Sequence, residues 1–226
     1  MRHHRGVAEQ VIVVLGATGV VGRATVLAAL DRGARVVAVA HRARELAALA
    51  EEAGAPHRFE TVAVRPVGGD VGDVTGHVVA VTTARFGLLH TWVHVVGRTE
   101  DEACPIGAAS ATVLRQLRRS GGGTFVVVAP ERAVIGGPSR HALTDLELDL
   151  ARVGAARHGR QDLASVTLVR RTGIVPPDRV AQTILRAAVR RQPEWVVRGS
   201  VRRDAVVARM TPAPARQRLQ GAWLFR

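Results

Sequence analysis

Three evenly spaced glycines, Gly16-Ala-Thr-Gly19-Val-Val-Gly22, are the residues of this chain best suited to hold a charged ligand, because they present backbone rather than side chains. Gly16 permits a tight turn, Gly19 lets the backbone approach a pyrophosphate, and Gly22 lets a following helix pack close to the preceding strand. The N–H groups and positive dipole end of that helix then point at the anion. Such chemistry needs a strand before the turn and a helix after it. Val11-Ile-Val-Val-Leu15 reads as a strand buried on both faces, and apolar helical spacing begins at Val20. A dinucleotide-binding turn is therefore expected, with Gly16, Thr18, Gly19, Val20, Val21 and Gly22 around the phosphates. A purely structural strand-to-helix turn has the same frame.

Other side chains with chemical potential are scattered. His41 and Arg42 follow the second strand pattern with no acid beside them, which favours a 2′-phosphate over a bare ribose hydroxyl and hence NADP over NAD. His94 falls at the end of the fourth strand pattern, where a groove-facing imidazole would serve as acid or base near neutral pH. A strand-end histidine satisfied by backbone is the simpler reading of it and the one preferred. His90 and His94 stand four apart, which on a strand separates them by about 13 Å, too far for one metal ion. No metal is expected. Cys104 follows Glu100-Asp101-Glu102, acids that raise a thiol pKa and discourage a nucleophilic role. Glu131 and His141 are a further possible acid/base pair, though nothing in the sequence brings them together.

Composition narrows the setting. The 226 residues suit a single domain, 1–210, followed by a Pro/Ala/Arg-rich tail, 211–226. No apolar run approaches the roughly 20 residues of a membrane span, the start lacks a signal-peptide apolar region, and the lone cysteine excludes an intrachain disulfide framework. A cytoplasmic protein is expected. The net charge is +13 and every basic residue is arginine, 18 of the 32 lying in residues 121–226. Aromatic residues make up only 3% and no DNA-binding motif is present, so the charge reads as a solvated basic surface rather than a nucleic-acid interface.

The positioning elements follow in order. Strands are expected at Ala34–Ala40, Arg58–Val64, Thr91–Val96, Thr124–Val128, Ala164–Val169 and Trp195–Val197, after the opening strand. Helices are expected at 42–53, 74–85, about 106–119, about 139–156, 178–191 and around 202–210. Strict alternation implies an α/β fold: a Rossmann-type, doubly wound parallel sheet of about seven strands with helices on both faces. Its ligand crevice lies outside the strand C-terminal ends, at the switch point beside the first strand.

Several segments in this order resemble the short-chain dehydrogenase/reductase family. Gly16-Ala-Thr-Gly-Val-Val-Gly22 is similar to its Gly-rich turn, and Gly33-Ala-Arg-Val-Val-Ala-Val-Ala-His41-Arg42 to the second strand of NADP-preferring members. Asp70-Val71-Gly72-Asp73 resembles the Asp-Val-x-Asp that holds the adenine. His94-Val95-Val96-Gly97 stands where the family has Asn-Asn-Ala-Gly, which implies cofactor contacts from Val96 and Gly97. Ser139-Arg140-His-Ala-Leu143 is similar to Ser-Lys-His-Ala-Leu, which puts Arg140 at the lysine position, able to hydrogen-bond a ribose or phosphate. The resemblance also implies a homodimer or homotetramer formed through the helices at 106–119 and 139–156.

The departures concern chemistry. The family reduces carbonyls with a tyrosine acid, a lysine that lowers its pKa, a serine on the carbonyl and an asparagine in a proton relay. This chain has no tyrosine, lysine or asparagine, and Ala129 or Pro130 falls at the serine position. Three segments that build the family's substrate pocket are also short: the loop before 106, the stretch before Ser139 and the stretch from Arg170 to Pro176. Arginine, with a pKa above about 12, cannot replace the tyrosine as acid. His94 and Arg140 are the remaining weak catalytic candidates. The expectation is an NADP(H)-binding protein with absent or non-standard chemistry. The alternatives are a carbonyl reductase with a substitute proton donor, and a cyclase, isomerase or dehydratase of the same fold.

Overall fold

A computed structural model describes residues 6–64, 71–95, 106–129, 164–172, 175–190 and 194–198. The apolar, β-branched runs form seven strands: β1 (Val11–Leu15), β2 (Arg35–Ala40), β3 (Phe59–Ala63), β4 (Thr91–Val95), β5 (Gly123–Ala129), β6 (Ala164–Thr172) and β7 (Glu194–Arg198). They lie parallel in one sheet of order β3-β2-β1-β4-β5-β6-β7. The helices are α1 (Val20–Asp31), α2 (Ala43–Ala53), α3 (Val71–Phe86), α4 (Ile106–Arg119) and α5 (Pro177–Arg190), and a 3-10 turn at Val7–Glu9 leads into β1. From β1 the chain builds outward through β2 and β3, then returns to pair β4 on the other side of β1. The strand order therefore reverses at β1/β4, where a doubly wound sheet opens its crevice.

Alternation along each strand divides the core into two layers. Ile12, Val14, Val36, Ala38, Val93, Val126 and Val128 face α1, α2 and α5, meeting Val26, Leu46, Leu49, Val180 and Ile184. Val13, Val37, Val39, Trp92, Phe125 and Val127 face α3 and α4, meeting Val78, Val113, Leu114 and Leu117. Both faces of β1 are buried, as its unbroken apolar run predicts.

Polar side chains at the strand N-terminal ends lock the central register. His90 donates its amide to the Val11 carbonyl at 3.0 Å, while its Nδ1 accepts the Val11 amide at 2.9 Å. The His90 carbonyl in turn accepts the Thr124 amide at 2.9 Å, so one residue ties β1, β4 and β5 together. Beside it the Thr91 hydroxyl meets Gln10 Oε1 at 2.6 Å.

Most expected elements are present, with shifted ends. β6 runs to Thr172 rather than Val169, because Arg170, Arg171 and Thr172 find ladder partners in Val196, Val197 and Arg198 of a longer β7. α3 begins at Val71 rather than Val74. The expected helices at 139–156 and 202–210 and the tail 211–226 lie outside the described residues. Among the described residues, no helix is long and apolar enough to cross a membrane.

Candidate functional site

At the end of β1 the chain turns on Gly16, whose φ of +85° disfavours any side chain. A Cβ there would also stand 3.0 Å from the Val95 carbonyl oxygen and 3.3 Å from the Val95 Cβ, so the turn is pressed against the end of β4. The amides of Gly16 and Ala17 both donate to the Val39 carbonyl of β2, at 2.9 and 3.1 Å, and the Gly19 amide donates to the Gly16 carbonyl at 3.1 Å. These bonds fix the turn against the C-terminal ends of β1 and β2. Sequence reading missed Val39 and Val95, which act through backbone groups and carry no side-chain signature.

Gly22 lies in the first turn of α1. A Cβ on it would overlap the Gly16 carbonyl oxygen and stand 2.8 Å from the Gly16 carbonyl carbon and 2.9 Å from the Ala17 Cα. Gly16 and Gly22 are thus required by the packing of helix on strand alone. Gly19 is different. It is the N-cap of α1 with φ −71°, ordinary for any residue, and a Cβ there would meet only the Gly16 carbonyl oxygen, at an unstrained 3.4 Å. The fold has room for a side chain at Gly19, and a capping serine or aspartate would serve the helix at least as well.

The helix start is correspondingly bare. No side chain caps Gly19, and the first intrahelical bond after the cap is Arg23 N–H to the Gly19 carbonyl at 2.8 Å. Among the described residues the amides of Val20, Val21 and Gly22 meet no backbone acceptor, as befits the first-turn donors of a helix. Val20, 72% exposed, stands at the mouth of the turn, whereas Val21 is buried beneath it. The arrangement fits a pyrophosphate, with free amides and a helix dipole facing a backbone surface that no side chain crowds.

The basic end of β2 reaches the same place. Arg42 stands at the N-cap position of α2 without a side-chain capping bond, and its guanidinium lies 3.4 Å from the Thr18 hydroxyl and 2.7 Å from Glu45, with the side chain half exposed. His41 beside it is exposed. A planar cation at the rim of the glycine turn is placed to meet a phosphate on the ribose side of a bound dinucleotide.

Other candidates fare unevenly. Val71 is the first residue of α3. Asp70, Val96, Gly97, Arg140, Cys104, Glu131 and His141 lie outside the described residues. His94 pairs with Leu15 on one side and Val127 on the other, sharing the face of Trp92, and it is only 1% exposed. Among the described residues its Nδ1 meets no hydrogen-bond partner, and burial pushes its pKa down to about 4. The structure thus turns this imidazole into the layer under α3 and α4 and keeps it neutral, which sets aside the groove-facing acid or base that the sequence left open as an alternative. The face was not legible because β4 is apolar on both sides. Among the described residues no group of three metal-ligating side chains comes together.

No protein-family model and no curated protein matches the sequence. Solved structures match it in fold. A short-chain dehydrogenase/reductase from Brucella melitensis, described as glucose/ribitol dehydrogenase, superposes with a TM-score of 0.69 at 18% identity, over 89% of this chain and 99% of that one. A metagenomic short-chain oxidoreductase in complex with NADP gives 0.68 at 20% identity, over 85% and 98%. A short-chain dehydrogenase from Streptomyces avermitilis gives 0.65 at 21% identity, over 88% and 89%. With its strand order, its helices on both sheet faces and its glycine turn at the β1/β4 switch, the chain has the fold of the short-chain dehydrogenases/reductases.

Proposed function

We propose that this chain is a divergent short-chain dehydrogenase/reductase that binds NADP(H) in the crevice at β1/β4 and lacks the family's ordinary carbonyl reduction. The observation that carries the binding reading is Gly19. Packing requires Gly16 and Gly22 but leaves space at Gly19, so the missing side chain there serves the approach of something other than the protein. The free amides of the first turn of α1 would hold the pyrophosphate, and Arg42 with Thr18 would meet a 2′-phosphate. The NADP-bound structural neighbour supports the same ligand class.

When bound, such a nucleotide supplies or accepts a hydride. Using it on a carbonyl also requires a proton donor of suitable pKa within hydrogen-bond reach of the oxygen. The chain has no tyrosine, lysine or asparagine to build that donor and its relay, and His94 is buried and neutral. A binding or regulatory role, or a reaction of another type in a remodelled pocket, accords better with these residues than carbonyl reduction. Titration of Gly19→Ser with NADPH tests the reading: the variant should stay folded and bind about tenfold more weakly or worse, whereas wild-type affinity in it would show that the nucleotide does not use the space at Gly19.

A further inference from the structure

At the opposite end of α1 from the glycine turn lies a second concave feature, a pocket of about 190 Å³ lined by Val7, Arg32, Gln182, Leu185, Arg186, Val189 and Arg190. Its floor is apolar: Leu185 is buried, and Val7 and Val189 are half-buried. Its rim is cationic. Gln182, Arg186 and Arg190 stand four apart, so they form one exposed stripe of α5, and Arg32 faces them from the C-terminal cap of α1. No acid lines the pocket among the described residues.

Two features leave the charge of this rim open to a ligand. Arg186 and Arg190 are like charges one helical turn apart, an arrangement that costs the isolated helix a little. Also, neither makes an ion pair among the described residues, as Arg23, Arg42 and Arg85 do with glutamates, so nothing described there competes with an anion for them. Arg32 donates through Nη1 to the Ala28 carbonyl at 3.0 Å, which holds the guanidinium at the rim with its remaining donors unspent among the described residues.

We infer that this pocket binds a small amphiphilic anion, a short-chain aliphatic carboxylate, with its head group among Arg32, Arg186 and Arg190 and its chain on Val7, Leu185 and Val189. The volume sets the size, since it is below the roughly 300 Å³ at which pockets for larger organic ligands begin. The apolar floor sets the class, since a bare inorganic anion would leave it uncovered. α1 has 12 residues and so spans about 18 Å, which makes the pocket separate from the dinucleotide crevice.

Nuclear magnetic resonance titration with hexanoate, acetate and inorganic phosphate, at fixed ionic strength, tests this on the full chain. Hexanoate should give saturable shifts confined to α5, the end of α1 and Val7, at least about tenfold tighter than acetate or phosphate. The double variant R186Q/R190Q changes only exposed side chains, and it should weaken hexanoate about tenfold or more while leaving the melting temperature and the response to NADPH unchanged. Absence of saturation, equal response to all three anions, or wild-type affinity in the folded double variant would each overturn the inference. NADPH binding succeeds or fails independently of every one of these outcomes.

Discussion

The first turn of α1 lies so close to the end of β1 that the carbonyl group of Gly16 occupies the position a Cβ of Gly22 would take. The contact is backbone against backbone, so no rotamer change can relieve it. Gly22→Ala should therefore destabilise the fold by about 1–3 kcal/mol, as overpacking does in a close-packed interior. The control lies in α3, where a Cβ on Gly76 meets nothing within 4 Å. Gly76→Ala should be stabilising by about 0.5–1 kcal/mol through helix propensity. Urea denaturation of both variants measures the contrast, and equal effects would contradict the packing described for Gly22.

Gly19→Ser should separate the ligand's need for glycine from the helix's. A serine hydroxyl caps a helix as well as glycine or slightly better, so stability should hold within a few tenths of a kcal/mol. Dinucleotide affinity should fall about tenfold or more, because the side chain enters the space before the free amides. A variant that loses stability together with binding would place Gly19 with Gly16 and Gly22 as a packing residue.

Arg42 should decide which nucleotide is preferred. Its contact with Thr18 sets the guanidinium at the rim of the turn, where a 2′-phosphate would gain a charge-assisted bond worth about 1.5–3 kcal/mol. Arg42→Ala should weaken NADPH about tenfold or more and leave NADH nearly unchanged. Equal losses for the two would show that Arg42 acts through α2, where it pairs with Glu45, rather than through the phosphate.

His94 should make the fold acid-sensitive. Its folded pKa, about 4, lies below the ordinary 6.5, so between these values the unfolded chain binds the extra proton and stability falls as pH falls. The loss should be on the order of 3 kcal/mol by pH 4 and level off below it. His94→Leu removes the titrating ring and the orphaned Nδ1 between Leu15 and Val127. Denaturation midpoints across this pH range should slope less in the variant, and an unchanged slope would place the proton elsewhere.

The alternation of strands and helices and the glycine turn are legible in the sequence because buried parallel strands are unbroken apolar runs and Gly16, Gly19 and Gly22 have a fixed spacing. The face of His94 was not legible, since a strand apolar on both sides gives no period to read. The bonds of Gln10, His90 and Thr91 were also hidden. They sit at strand N-terminal ends, where polar residues look like loop until the register brings Gln10 to Thr91 and His90 to Val11. Likewise Arg170 and Arg171 look like the end of a strand, yet β7 extends alongside them. The separate meanings of three similar glycines emerged only from what a Cβ would touch at each.

If NADPH binds, carbonyl turnover should still be negligible. With simple ketones and aldehydes, NADPH oxidation followed by absorbance should not rise above the rate without protein. Robust turnover that persists in His94→Ala would overturn the reading built on the missing tyrosine, lysine and asparagine.

The most direct measurement is calorimetric titration of the wild-type chain with NADPH and, separately, NADH. Saturable heat with NADPH bound more tightly than NADH is the expected result, given the free amides of α1 and the Arg42 rim. No heat with either nucleotide, or tighter binding of NADH, would contradict the proposed site.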